Sequence, residues 1–146
     1  SYGAKSANPA FAEYEYPSTT ATVLKFKDGK VGKCASVVDC LQPYYFHTHL
    51  VGSEGSLLDN KFHSNRLEEL GRHQWSELGF KPVDSGDVSD HPYQTQFDAF
   101  FESLNRDEAM PLTGLDQAVR THEVIFAADL SLRENRPVKL EEIRGR

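Results

Sequence analysis

The sequence predicts an α+β fold, a mostly antiparallel open β-sheet with helices packed on one face. Three observations lead there. Apolar and polar residues alternate around turn dipeptides in the first half of the chain, the apolar spacing changes to that of a helix from Tyr93 onward, and strands and helices are segregated along the sequence rather than interleaved. At 146 residues the chain fits a single domain, 1–146, with residues 1–18 as an irregular lead-in.

The first sheet element is a hairpin. Residues 19–39, "TTATVLKFKDGKVGKCASVVD", hold two β-rich runs around Asp28-Gly29, a dipeptide that supplies the positive φ angles of a tight turn. A second hairpin follows, with "YFHTHLV" and "SLLDNKF" flanking Gly52-Ser53-Glu54-Gly55. Strand alternation there puts Phe46, Thr48 and Leu50 on one face and His47, His49 and Val51 on the other. "HQWSELGF" reads as a further strand before the turn-rich connector "KPVDSGDVSDHP".

Tyr93, Phe97, Phe100, Phe101 and Leu104 then form a stripe at helical spacing, with Asp90 as N-cap and Pro92 in the first turn. The phenylalanines of that stripe are expected in the core. A second helix starts from Thr113 as N-cap with Asp116 completing a capping box, turns Leu115, Val119, His122, Ile125 and Phe126 to one side, and stops at Asn135 and Pro137. His122 is read as a core histidine, and "PVKL" as a short closing strand.

Composition narrows the functional classes. Cys34 and Cys40 lack a C-x-x-C spacing and are too few to act as staples, which points to thiols in a reducing compartment and makes the cytoplasm the expected location. No apolar run approaches the roughly 20 residues that cross a bilayer, and residues 1–14 lack the features of a targeting segment. Neither a membrane nor a nucleic acid is expected as a partner: the net charge is −6, and the acidic excess falls on residues 74–146.

The stretch "YYFHTHLVGSEG" raises the possibility of a metal held by His47, His49 and Glu54, because an H-x-H pair on a strand turns both imidazoles to one face. The spacing agrees with the middle of the cupin metal motif, and a free-standing cupin-like metal-binding module is the alternative reading of the chain. Against it, the glycines of that motif are replaced by Leu41 and Lys61, a fourth ligand has no source, and the "GSEG" turn aims Glu54 at solvent. No metal site is therefore expected. A sheet face lined with aromatic and imidazole groups instead suits association. The chain has no G-x-S-x-G, P-loop or G-x-G-x-x-G. A Cys34–His47 nucleophile–base pair is disfavoured, since strand cysteines are usually inert. Trp75 and Tyr93 can each pair an apolar body with a polar tip toward a ligand, although packing is the commoner use.

Taken together, "LKFKDGKVGKC", "VGSEGSLLDN" and the run from His91 to Leu140 resemble the C-terminal domain of the glucose-fructose oxidoreductase, inositol dehydrogenase and MocA (Gfo/Idh/MocA) family over roughly residues 20–140. The resemblance lies in a D-G-x-x-G strand end, a G-x-E-G hairpin, and Tyr93-x-x-Gln96-Phe97-x-x-Phe100, in that order. It implies an NAD(P)-dependent oxidoreductase acting on a sugar, cyclitol or related polyol, in which this chain is a fragment supplying substrate walls and oligomerisation. NAD or NADP would sit on a Rossmann domain that the chain lacks, as it lacks the E-K-P and G-G-x-x-x-D-x-G-x-H motifs, so no catalytic or cofactor-binding residue is assigned here and the fragment is expected to be inactive alone. The resemblance implies substrate-binding roles for Tyr93 and its neighbour His91. It also implies self-association into a dimer or tetramer through the sheet face carrying His47, His49 and Val51, or its opposite. Gln96 stands where relatives commonly carry Glu, which removes a charge from that position.

Overall fold

The structure, a computed structural model, describes residues 1–42, 45–67, 73–79 and 93–145. The chain is α+β, and every strand pair among the described residues is antiparallel. Its strands form two sheets, and the chain divides into two compact units, residues 1–41 with 94–146, and residues 42–93.

In the first unit, β1 (Tyr2–Ala4), β2 (Thr19–Lys25) and β3 (Val31–Val37) lie in the order β1-β2-β3. The lead-in is thus partly ordered as a strand, followed by a short 3-10 turn over Pro9–Phe11 capped by the Asn8 side chain. Asp28-Gly29 forms the β2–β3 turn, but only Gly29 takes a positive φ, of 86°. Phe26 N–H donates to Lys30 O at 2.9 Å and Gly29 N–H to Phe26 O at 3.1 Å, and the Asp28 carboxylate accepts from Lys30 Nζ at 2.6 Å. This is a turn closed by a left-handed glycine rather than a two-residue turn with both centres inverted.

Three helices complete this unit: α1 (Tyr93–Arg106), α2 (Leu115–Glu134) and α3 (Glu141–Arg144). α2 packs against β1 of the three-stranded sheet, and Ala127, Leu130 and Ser131 in its C-terminal half are buried. Small residues permit the close approach. A Cβ at Gly3 would lie 2.5 Å from Leu132 Cδ1 and 2.9 Å from the Pro17 ring, and Ser131 Oγ accepts from the Ser1 amino group at 2.7 Å while donating to Arg136 O at 2.7 Å.

Several expectations are corrected here. Thr113 does not cap α2. Gly114 occupies the N-cap, and its N–H is taken by the Gln117 side chain at 3.1 Å, so only the reciprocal half of a capping box exists. The stripe of Leu115, Val119, His122, Ile125 and Phe126 is exposed, because the helix rests on the face carrying Ala127 and Leu130. Phe97, Phe100 and Phe101 are also about half exposed rather than core, and Ser103 is the buried residue of α1. "PVKL" is not a strand. Asn135 ends α2 in the left-handed conformation, Arg136 is held between Glu134 and Glu142, and Lys139 N–H donates to Glu142 Oε1 at 2.9 Å, which turns the chain into α3. Asp90, Pro92 and the connector lie outside the described residues.

The second unit holds β4 (His49–Val51), β5 (Gly55–Leu58), β6 (Lys61–Ser64) and β7 (Ser76–Glu77) in the order β4-β5-β6-β7. "SLLDNKF" is two strands, not one: Asp59, with φ 55°, and Asn60 turn the chain between Leu58 and Lys61. Register places His49, Val51, Ser56, Leu58, Lys61, His63 and Glu77 on one face, and Leu50, Leu57, Phe62 and Ser76 on the other. "HQWSELGF" contributes β7 as expected.

Candidate functional site

Three places bear on function: the free face of the three-stranded sheet, the start of α1, and the approach to β4. Partners across β1, β2 and β3 share a face, so Tyr2, Ala21 and Ala35 lie side by side, as do Ala4, Thr19 and Val37, then Val23 and Lys33, then Lys25 and Val31. This is the face opposite Gly3, Thr20 and Thr22, and at Gly3 that opposite face meets Leu132 of α2. The face carrying Tyr2 is uncovered. Tyr2 is 76% exposed, Val23 72%, Val31 73% and Val37 47%. The apolar patch follows directly from alternation, with Lys25 and Lys33 interrupting it.

Tyr93 opens α1 and is half exposed. Its expected companion His91 lies outside the described residues. Trp75, just before β7, is also half exposed.

The histidines of the H-x-H pair occupy different local structures. His49 begins β4, whereas His47 lies in the extended lead to it. Their ring centroids are 6.2 Å apart, and the Tyr45 ring stacks on His47 at 5.8 Å. Glu54 is turned away, paired with Arg66 across the hairpin. Among the described residues no group of three or more His, Cys, Asp or Glu side chains comes together to hold a metal ion.

Asp59 and Tyr45 are the residues that sequence reasoning missed. The Asp59 carboxylate accepts from Thr48 N–H at 2.9 Å and from the Tyr45 hydroxyl at 2.8 Å, and lies 3.2 Å from His47 Nδ1. Thr48 O in turn accepts from Asp59 N–H at 2.8 Å. The Thr48 N–H, then the Tyr45 hydroxyl, hold the Asp59 carboxyl below the usual aspartate value; the carboxylate, accepting the phenol proton, pushes the Tyr45 hydroxyl above the usual tyrosine value. The signal was in the sequence: Asp59-Asn60 is a turn dipeptide, and Tyr45, His47 and His49 are spaced by two.

On α2, a shallow groove of ≈ 520 Å³ runs between Leu115, Val119, His122, Phe126, Ile143 and Arg144. His122 Nδ1 is 2.8 Å from Ala118 O. Cys34 and Cys40 are both exposed and unpaired to each other.

No protein-family model, curated protein or solved structure matches the chain. No helix among the described residues is long and apolar enough to cross a membrane.

Proposed function

We propose that the chain is the substrate-side, self-associating domain of a cytoplasmic NAD(P)-dependent oxidoreductase of Gfo/Idh/MocA type that acts on a sugar, cyclitol or related polyol. The uncovered apolar face of the three-stranded sheet is the observation that carries this reading. A sheet backed by a helix on one side and left bare on the other presents valines and a tyrosine to water, and pairing two such faces removes that cost. The family part rests on the D-G-x-x-G, G-x-E-G and Tyr93-x-x-Gln96-Phe97 sequence pattern. NAD or NADP would bind elsewhere in the parent enzyme, and Tyr93 and His91 would line the substrate cleft. The sheet of β1 to β3 replaces the His47–His49 face as the association surface in this proposal.

Sedimentation velocity on the chain and on a Val23→Glu/Val31→Glu variant tests the reading. A dimer or larger species is expected for the chain and a folded monomer for the variant, since charge at exposed strand positions costs a monomer little. A second arm titrates inositol and sugar alcohols while the Tyr93 ring is followed by NMR. A monomeric wild-type chain at high micromolar concentration would remove the association role, and no movement of the Tyr93 signals with any polyol would remove the substrate role.

A further inference from the structure

Proton counting around His47 assigns its tautomer. Asp59, as a carboxylate, has no proton to give, and Tyr45 has one. The phenol donates that proton to Asp59 Oδ2 at 2.8 Å, so its oxygen is left to accept from His47 Nδ1 at 2.8 Å. The Nδ1–H also faces the carboxylate at 3.2 Å. Neutral His47 is thereby held with its proton on Nδ1 and a lone pair on Nε2.

A carboxylate behind Nδ1 is the arrangement that orients an imidazole for metal ligation through Nε2 and raises its basicity. A second imidazole stands beside it, with the two ring planes inclined by 57°. Two rings that share one ion at roughly 2.0–2.1 Å from each nitrogen, with nitrogen–metal–nitrogen angles of roughly 90–120°, have centroids about 4.5–5.5 Å apart. The observed 6.2 Å is wider than that, so the His49 ring has to swing toward His47 for both nitrogens to meet one ion. Glu54 takes no part, because Arg66 holds it on the hairpin turn.

We propose that His47 and His49 form a two-imidazole site for a divalent transition cation, with Asp59 and Tyr45 as the groups that position His47. Imidazole donors select copper(II), nickel(II) or zinc(II) over magnesium or calcium. Water fills the remaining coordination positions, which makes the site exchangeable rather than structural. It differs from a cupin site in lacking both the Glu54 ligand and a fourth protein donor, and it stands independently of the oxidoreductase reading.

Copper(II), nickel(II) and zinc(II) chlorides titrated singly into the full chain by calorimetry test the site, with nitrogen hyperfine structure in the copper(II) EPR spectrum as a second readout. One ion per chain is expected, with affinity falling at least about tenfold in His47→Ala and in His49→Gln. The Asp59→Asn variant is expected to lose roughly 10–100-fold while retaining the two-nitrogen spectrum. Far-ultraviolet circular dichroism checks that each variant folds. The proposal is overturned by the absence of saturable binding to the wild type, by binding that both histidine variants retain, or by nitrogen NMR that finds the His47 proton on Nε2 in the metal-free chain.

Discussion

Arg144 and Glu123 show how much one pair of residues sets local order. The guanidinium donates from Nε to both Glu123 oxygens at 3.0 Å and from Nη2 at 2.7 Å, tying four-residue α3 to the middle of α2. A helix that short does not persist by its own hydrogen bonds. The Arg144 side chain, by its hydrogen bonds first and its charge second, holds the Glu123 carboxyl below the usual glutamate value. The folded-state value is thus the lower one, so the tether is fully present above the unfolded value of about 4.3 and is lost as pH falls through the lower folded one. Glu123→Gln is expected to speed amide exchange at Ile143 and Arg144 at neutral pH while leaving Ala127 to Ser131 protected. Unchanged exchange at α3 would show that Ile143 packing, not the ion pair, holds it.

Among the elements, the β4–β5–β6 meander explains why its glycines sit where they do. Gly55 has no positive φ; it is needed because a Cβ there would meet His63 O at 2.6 Å, and that oxygen belongs to the paired strand. Gly55→Ala is expected to cost about 1–3 kcal/mol, as overpacking against an immobile group does, and to lower the thermal midpoint. A midpoint equal to wild type would mean that β5 and β6 separate easily. The element pattern was partly legible in the sequence. Asp28-Gly29 and the alternation around it give the first hairpin, because turn chemistry is local. Residues 56–62 misled, because Ser56, Leu57 and Leu58 run into Lys61 and Phe62 with a favourable strand composition, and the Asp59-Asn60 reversal depends on the Thr48 backbone arriving from another segment. The helices were found from periodicity, yet periodicity says only that a stripe is apolar. It cannot say whether that stripe is covered, so Phe97, Phe100 and Phe101 read as core and are exposed. The space that Gly3 leaves beside β1 is filled by Leu132 of α2 and by the Pro17 ring, a tertiary contact that periodicity does not encode. The site was legible to the same degree: the H-x-H pair is a local pattern, whereas the carboxylate behind it comes from twelve residues away in sequence.

At the scale of the whole molecule, the described residues place few apolar side chains fully inside, Ala127 and Leu130 among them, and leave many large ones in contact with water. A chain of this length normally hides more of its apolar surface than that. The three-stranded sheet explains part of the excess in a specific way, since α2 meets one face at β1 while the other carries Tyr2, Val23, Val31 and Val37, which are exposed. Association through this face has to accommodate Lys25 and Lys33, which interrupt its apolar patch. Isotope-filtered NMR on an equal mixture of carbon-13-labelled and unlabelled chain reads that face directly. Intermolecular nuclear Overhauser effects joining the methyls of Val23, Val31 and Val37 to the Tyr2 ring are what the paired-face account requires; a spectrum empty of them, or one whose only intermolecular contacts come from β4 to β7, would contradict it.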